Sequence, residues 1–208
     1  MIDKPIFSRA LAVFLLCFVL CQTKSNAQQD ESARFYDDAF GISFAKIGTV
    51  VKVDNSTYHI TLQSSENSPA HSALAQVSAT DRLFVDLPGS YGGRLFLDTP
   101  SASQLIQNRV LVDSVHTGQQ NFRREYWIVY AGMGMWEGVI SCYTQEGGRY
   151  YIVSLLQNIS VGKPGEEVDG KPLTSEDLKG KVLNSLQDTT NVFVNEFTTL
   201  LTSFQIQK

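Results

Sequence analysis

Three closely spaced segments rich in strand-forming residues constrain the fold of this chain more than any other feature. Residues 125–130, 136–144 and 149–156 are rich in Val, Ile, Tyr and Trp, which favour β-strands. Glu146-Gly147-Gly148 separates the last two segments, and a glycine pair in this position is typical of a tight hairpin turn. The pattern predicts three consecutive antiparallel strands in one sheet.

Two segments near the C-terminus carry apolar residues at helical spacing. Thr174-Ser175-Glu176-Asp177 resembles a capping box and predicts a helix that continues through Leu186. A second helix is predicted over 192–204, where Val, Phe and Leu recur with a period near 3.6. Both apolar faces need a sheet to pack on. The sequence therefore predicts an α+β fold in which helices cover an antiparallel sheet, as in an α/β/α sandwich.

The first half of the chain carries weaker signals. Runs of β-branched and aromatic residues at 50–53 and 58–62 flank turn-forming residues and predict a hairpin. Proline at position 100 predicts the first turn of a helix. The other predicted elements are strands at 40–44, 83–85 and 109–115, a short helix at 72–77, and a long loop over 160–172.

The N-terminus has the three parts of a secretory signal peptide. Lys4 and Arg9 supply positive charge, residues 10–20 form an uncharged apolar run, and Ser25-Asn26-Ala27 places small residues at a cleavage site. The apolar run is shorter than the ~20 residues that span a bilayer. The alternatives are an uncleaved anchor and a lipoprotein attached through Cys21, although a lipobox requires a small residue before its cysteine.

Cleavage before Gln28 would leave a leader over 1–27 and a single globular domain over 28–208, long enough to bury a core without a disulfide. The leader removes three of 17 basic residues and one of 21 acidic residues, so the remainder is more acidic than the −4 of the whole chain. A negative surface disfavours nucleic acid as a partner. We expect an exported protein, periplasmic or extracellular, without stable membrane insertion.

No motif in the sequence assigns catalysis, a metal or a cofactor. His59, His71 and His116 lack a second ligand at the spacing of metal sites. Cys142, the one cysteine outside the leader, lies in an alternating strand-like run that is typical of a small buried side chain, with a catalytic thiol or an intermolecular disulfide as the alternatives. We predict no catalytic residues, no metal and no cofactor, and we favour a non-enzyme.

Residues 132–138, Gly-Met-Gly-Met-Trp-Glu-Gly, predict a turn or bulge between two strands. A phosphate-binding loop requires a helix after the glycines, whereas strand-forming residues follow here. Met133 and Met135 beside Trp136 would form an adaptable apolar contact patch if they are exposed, and part of the core if they are buried. We select these three residues, together with Tyr91 in another glycine-rich turn, as candidate partner-binding residues.

Three short stretches carry a resemblance to a known family: 36–44 (YDDAFGISF), 147–153 (GGRYYIV) and 197–204 (FTTLLTSF). In this order they resemble the first strand, a hairpin leading into a tyrosine-rich strand, and the last helix of the PsbP-like family of exported and thylakoid-lumen proteins. The resemblance implies an α/β/α sandwich that serves as a binding or assembly module without a conserved catalytic set.

These observations favour an exported, non-enzymatic binding or accessory module of the cell envelope. Its partner would be another envelope protein or a small apolar ligand. One alternative is a secreted hydrolase, which requires two carboxylates that converge in one pocket, with the pKa of one raised by burial. The other alternative is a carrier of hydrophobic ligands, which requires an apolar cavity between the sheet and the helices.

Overall fold

The computed structural model describes residues 33–63, 72–87, 93–118 and 120–207. The chain divides into two units, Met1–Arg34 and Phe35–Lys208. Only residues 33 and 34 of the first unit are described, so the predicted leader lies outside the described residues. Apart from Arg34, which begins the first strand, the features below belong to the second unit.

Strands dominate the described residues. In chain order they are β1 (Arg34–Asp37), β2 (Ile42–Ala45), β3 (Thr49–Lys52), β4 (Thr57–Gln63), β5 (Ser72–Thr80), β6 (Phe84–Leu87), β7 (Gly93–Phe96), β8 (Arg109–Thr117), β9 (Gln120–Gly132), β10 (Met135–Glu146), β11 (Arg149–Ser160), β12 (Glu167–Val168), β13 (Lys171–Pro172) and β14 (Gln205–Ile206). The helices are α1 (Pro100–Leu105), continued by a 3-10 turn at Ile106–Asn108, α2 (Ser175–Gln187) and α3 (Val192–Ser203).

The main sheet has seven strands in the order β3-β4-β5-β11-β10-β9-β8, and every neighbouring pair is antiparallel. The predicted meander is its centre: β9, β10 and β11 are consecutive in both the chain and the sheet. β5 pairs with β11 although five strands of the chain separate them, so the first and last parts of the unit meet in the middle of the sheet.

Side chains alternate along each strand between the two faces of the main sheet, and other parts of the chain cover both faces. On one face Ile140 and Ile128 join the core cluster that contains Leu186 of α2 and Phe197 of α3. On the other face a smaller cluster centres on Trp127 and lies under the β6–β7 hairpin. A helix-covered antiparallel sheet confirms the predicted α+β fold class.

Local sequence determines where the two long helices begin. Thr174 accepts a hydrogen bond from the backbone N–H of Asp177, and the Asp177 carboxylate accepts one from the backbone N–H of Thr174, at 3.1 Å each. This reciprocal pair is the predicted capping box. The side chain of Asn191 caps α3 by accepting from the N–H of Phe193 at 3.0 Å. Within the described ranges, no helix combines the length and the apolar character needed to cross a bilayer.

The predicted short helix at 72–77 is wrong, because these residues belong to strand β5 in the centre of the sheet. Ala73, Ala75, Val77 and Ala79 all face the helix-covered core, which is a period of two. Alanine has high helix propensity, but pairing with strands on both sides overrides that weak preference. The long loop predicted over 160–172 contains the short strands β12 and β13.

Candidate functional site

A two-residue turn, Met133–Gly134, joins β9 to β10 and is called the Met133 turn below. The backbone φ is +52° at Met133 and +79° at Gly134. Positive φ at both central residues defines the type I′ hairpin turn, whose first position favours Asn, Asp or Gly. A residue with a Cβ in this region costs about 1–2 kcal/mol because the Cβ crowds a carbonyl oxygen. The predicted turn is therefore present, with an unfavourable residue at its first position.

The side chain of Met133 extends into solvent. Its exposed fraction is 100%, the highest of the exposed large hydrophobic residues in the described part of the chain. Tyr130, three residues earlier, is 38% exposed, and Met135 is half-buried. A thioether chain is flexible and polarizable, so it adapts to apolar surfaces of varied shape.

Hydrogen bonds hold the Met133 turn in place from two sides. The backbone N–H of Gly134 donates to the hydroxyl oxygen of Tyr130 at 3.3 Å, within the same hairpin. From the segment after β11, the N–H of Val161 donates to the carbonyl oxygen of Gly134 at 3.3 Å. The indole N–H of Trp136 donates to the carbonyl oxygen of Gly162 at 3.0 Å. The turn is therefore fixed to two parts of the chain.

A β-bulge lies directly beside the Met133 turn. Met135 pairs with Gly132, but the next residue, Trp136, pairs with Tyr130, so Ala131 has no partner in the ladder. A bulge bends the strand and changes the direction of nearby side chains. The predicted bulge and the predicted turn are thus both present, one residue apart.

The candidate partner-binding residues have different environments in the structure. Met133 and Met135 lie at the end of the β9–β10 hairpin, whereas Trp136 is only 2% exposed and packs against Tyr130 with ring centroids 4.9 Å apart. Trp136 is therefore buried beside the Met133 turn, where its ring packs against Tyr130. Tyr91 lies outside the described residues.

Two contributors to this surface were not among the candidates. Tyr130 is three residues before Met133 in the chain, and this proximity is the local signal that could have identified it. Gly162 is 26 residues from Trp136 in the chain, so no local pattern indicates their contact.

Comparisons with known proteins find similarity in fold alone. No family model matches the chain, and no curated protein is similar to it in sequence. Among solved structures, a Bacteroides thetaiotaomicron VPI-5482 protein matches with 9% identity and a TM-score of 0.40, covering 85% of this chain and 48% of that chain. This chain therefore spans about half the length of the Bacteroides protein.

Two further solved structures match over most of both chains. The Saccharomyces cerevisiae Ran-binding protein Mog1p has 7% identity and a TM-score of 0.40, covering 83% of this chain and 94% of that chain. Cyanobacterial PsbP from Synechocystis sp. PCC 6803 has 12% identity and a TM-score of 0.33, with coverages of 83% and 91%. The weak structural resemblance to PsbP is confirmed, and at these TM-scores it transfers no function to this chain.

The most buried carboxylate in the described residues belongs to an ion cluster. Glu125 is 1% exposed, and its Oε1 accepts hydrogen bonds from Arg109, Arg123 and Tyr143, each at 3.1 Å. Burial, reinforced by the negative charge of Glu125, raises the pKa of Tyr143 to about 12. The phenol is therefore a neutral donor at physiological pH. Arginines surround this carboxylate, in contrast to the paired carboxylates of a glycosidase.

The thiol of Cys142 is a packing group. Its side chain is fully buried on the face of β10 that the helices cover. Burial raises the pKa of the thiol above its ordinary value, which favours the protonated form that is the weaker nucleophile. Across the described ranges, no three His, Cys, Asp or Glu side chains are grouped so that they could hold a metal ion.

Proposed function

We propose that this protein is an exported, non-enzymatic binding module of the cell envelope that contacts a protein partner through the Met133 turn. One observation carries the proposal: a fully exposed methionine occupies a left-handed position where Asn or Gly would be more stable. Residues that oppose the local conformational preference without a local gain in stability occur preferentially at functional sites. The side chain that causes the local cost is also the one most available for contact.

The surroundings of Met133 suit a protein partner with an apolar pocket. A turn held by hydrogen bonds from both sides has little backbone freedom left to lose, so ordering of the backbone adds little to the entropic cost of association. Tyr130 lies beside it, and tyrosine is enriched at protein interfaces. Met133 would enter the pocket of the partner, while Tyr130 would line the rim of the interface.

Export is supported by the leader-like segment at the N-terminus. Lys4, Arg9 and the apolar run before Ala27 have the order of a secretory signal. The mass of the protein recovered from the envelope or the medium tests this part. We expect a chain that begins at Gln28, and a protein found only in the cytoplasm with Met1 intact contradicts export.

Site-specific photo-cross-linking tests the contact surface. The full chain, expressed with its own leader in the native host, carries a photoreactive phenylalanine analogue in place of Met133. The matched control carries the same analogue at Val51, which is 51% exposed on the edge strand β3. We expect one discrete cross-linked product from position 133 that is missing from position 51. No product at 133, or the same products from both positions, contradicts the proposal.

Met133→Asn separates binding from folding. Asparagine is favoured at the first position of a type I′ turn, so the variant keeps or gains stability while it loses the apolar side chain. We expect the partner identified by cross-linking to co-purify at least tenfold less with this variant than with the wild type. Val51→Asn, which removes a similarly exposed apolar side chain elsewhere, leaves co-purification unchanged. Equal recovery with Met133→Asn overturns the role of this residue.

A further inference from the structure

The two strands at the ends of the main sheet differ in how well they resist pairing with another chain. β3 has four residues and ends at Lys52, whose side chain is 46% exposed. β8 has nine residues, none of them lysine or proline. Natural sheets protect their edges with short strands, lysine and proline, since these disfavour the addition of a further strand. β3 has this protection, whereas β8 does not.

The regular part of β8, Leu111–Thr117, is called the β8 edge below. These seven residues pair with β9 in unbroken register, and a bulge at Val110 precedes them. Among the described residues, β9 is the only strand that pairs with β8, and no turn or loop backbone is hydrogen-bonded to the β8 edge. Backbone groups of an antiparallel strand alternate between its two sides, so about half of those in the β8 edge point away from β9. These groups are available to a second strand.

The side chains along the β8 edge do not repel an added strand. Val112 is an exposed large hydrophobic residue, and Ile106, three residues before β8, is another. The β8 edge contains no lysine or arginine, and its one carboxylate is that of Asp113. Both oxygens of this carboxylate accept hydrogen bonds from Arg124, at 2.8 and 2.6 Å. The charge of Asp113 is therefore balanced within its own subunit, and the edge combines free backbone groups with exposed apolar side chains.

A second copy of the chain presents a strand that matches the β8 edge. Two identical strands related by a two-fold axis perpendicular to the sheet run antiparallel, so their free donors and acceptors face each other. Only an axis at Ser114 pairs all seven residues, with Leu111 opposite Thr117 and Asp113 opposite Val115 of the other copy. An axis at Asp113 would instead place two carboxylates directly opposite each other, which is destabilising. Ser114 is therefore the favoured centre.

We infer that two copies of this chain associate through their β8 edges and join their main sheets into one continuous antiparallel sheet. The occupant of the edge is thus a second copy, placed by a two-fold axis at Ser114. The Met133 turn lies beyond the part of β9 that pairs with β8, which ends at Trp127. The dimer therefore does not use the Met133 turn, and each proposal can fail without the other.

Sedimentation equilibrium of the protein, purified as its host produces it, tests the association. Stable interfaces use about 20–30 residues a side, and the β8 edge is smaller, so we expect a dissociation constant in the micromolar range. The apparent mass should rise from that of one chain towards twice that value between about 1 μM and about 1 mM protein. A mass that stays at one chain over this range, or assemblies larger than a dimer, overturns the inference.

Opposite charges at Ser114 test the position of the axis. Ser114 is exposed, so Ser114→Lys and Ser114→Glu do not disturb a buried position. Each variant alone places like charges directly opposite each other in the dimer, and we expect about fivefold weaker association. An equal mixture of the two variants restores association, because lysine of one copy then lies opposite glutamate of the other. Unchanged association of the single variants, or a mixture no better than either alone, contradicts the inference.

The other edge of the sheet supplies the matched control. Val51 is exposed on β3, so Val51→Lys adds the same charge to an edge strand that the dimer does not use. We expect its association to equal that of the wild type, and thermal unfolding confirms that every variant is folded. Amide hydrogen exchange should slow in the β8 edge, and not in β3, as the protein concentration rises. Equal weakening by Val51→Lys, or protection that appears in β3 instead, overturns the role of β8.

Discussion

The hairpins at the two ends of β10 share one turn geometry but not its residues. At the end that leads into β11, Gly147 and Gly148 have φ values of +60° and +80°. At the other end, Met133 and Gly134 have +52° and +79°. A Cβ added at Gly147 or Gly148 would meet no atom within 4 Å, so there is space for a side chain at both positions. In this glycine turn the backbone angle alone sets the preference for glycine.

This difference shows what the methionine contributes. The glycine turn satisfies the geometry without strain, so the same geometry at the Met133 turn does not require a methionine. The glycine turn joins strands in regular register, whereas the Met133 turn adjoins a bulge and is held by the segment after β11. One hairpin only reverses the chain, and the other fixes the backbone from which the Met133 side chain projects into solvent.

The largest effect is expected from removing the ring beneath the Met133 turn. Trp136→Ala deletes a buried indole and its bond to Gly162, so the free energy of unfolding falls by about 3–5 kcal/mol. Urea denaturation measures this loss. Trp136→Phe, which keeps most of the ring, is the milder control. A loss below about 1 kcal/mol for the alanine variant would show that the ring does not support the turn.

The glycine turn measures the cost of a methionine directly. Gly147→Met places a Cβ at φ +60° in open space, so strain in the left-handed region is its main effect. We expect the free energy of unfolding to fall by about 1 kcal/mol, since the lower freedom of the unfolded chain offsets part of the strain. Gly147→Asn should cost less. If Gly147→Met is neutral in urea denaturation, the strain argument for Met133 fails.

The reverse exchange should stabilise the protein. Met133→Gly gives both hairpins the same turn residues and removes a side chain that is fully exposed. We expect a gain of about 0.5–1 kcal/mol in the free energy of unfolding, from relief of the left-handed strain less the added freedom of the unfolded chain. A destabilised variant would mean that Met133 has stabilising contacts within the fold.

Acid should change the stability of the fold without changing the difference between the two turn variants. Burial alone would raise the pKa of Asp37, but hydrogen bonds from Tyr58 and the N–H of Phe40, with the charge of Lys52, lower it below the ordinary 3.8. The unfolded chain therefore binds this proton more tightly. Asp37 stabilises the fold above pH 3.8, and this contribution is lost as the pH falls through the lower folded value.

Urea denaturation at pH 7 and pH 2.5 measures both quantities. The free energy of unfolding falls in acid for every variant, and Asp37→Asn reduces that fall. The gap between Met133→Gly and Gly147→Met stays constant, because none of the four central turn residues titrates. A gap that changes with pH would show that charge contributes to the comparison.

The fold was predictable wherever local signals agreed with tertiary pairing. The β10–β11 hairpin follows from alternation on both sides of two glycines, and α2 follows from the capping box at Thr174. β5 was not predictable, because an alanine-rich segment has helix propensity and its period of two matters only between two partner strands. The pairing of β14 with β2 joins residues more than 160 positions apart, which no local pattern indicates.

The candidate site was predictable in position but not in exposure. The glycines around Met133 indicate a turn, and Trp136 beside it indicates apolar packing. The sequence does not show which of the two side chains meets solvent, because Trp136 is buried through tertiary contacts that include the carbonyl oxygen of Gly162.

The thiol of Cys142 can be used to measure how often the folded core opens. After cleavage before Gln28 it would be the sole thiol, and it lies fully buried in the middle strand of the meander. An alkylating reagent can reach the sulfur only when β10 is uncovered, so the labelling rate follows how often the core becomes accessible. The variants discussed above could then be ranked by their rates of thiol alkylation under native conditions, without denaturant.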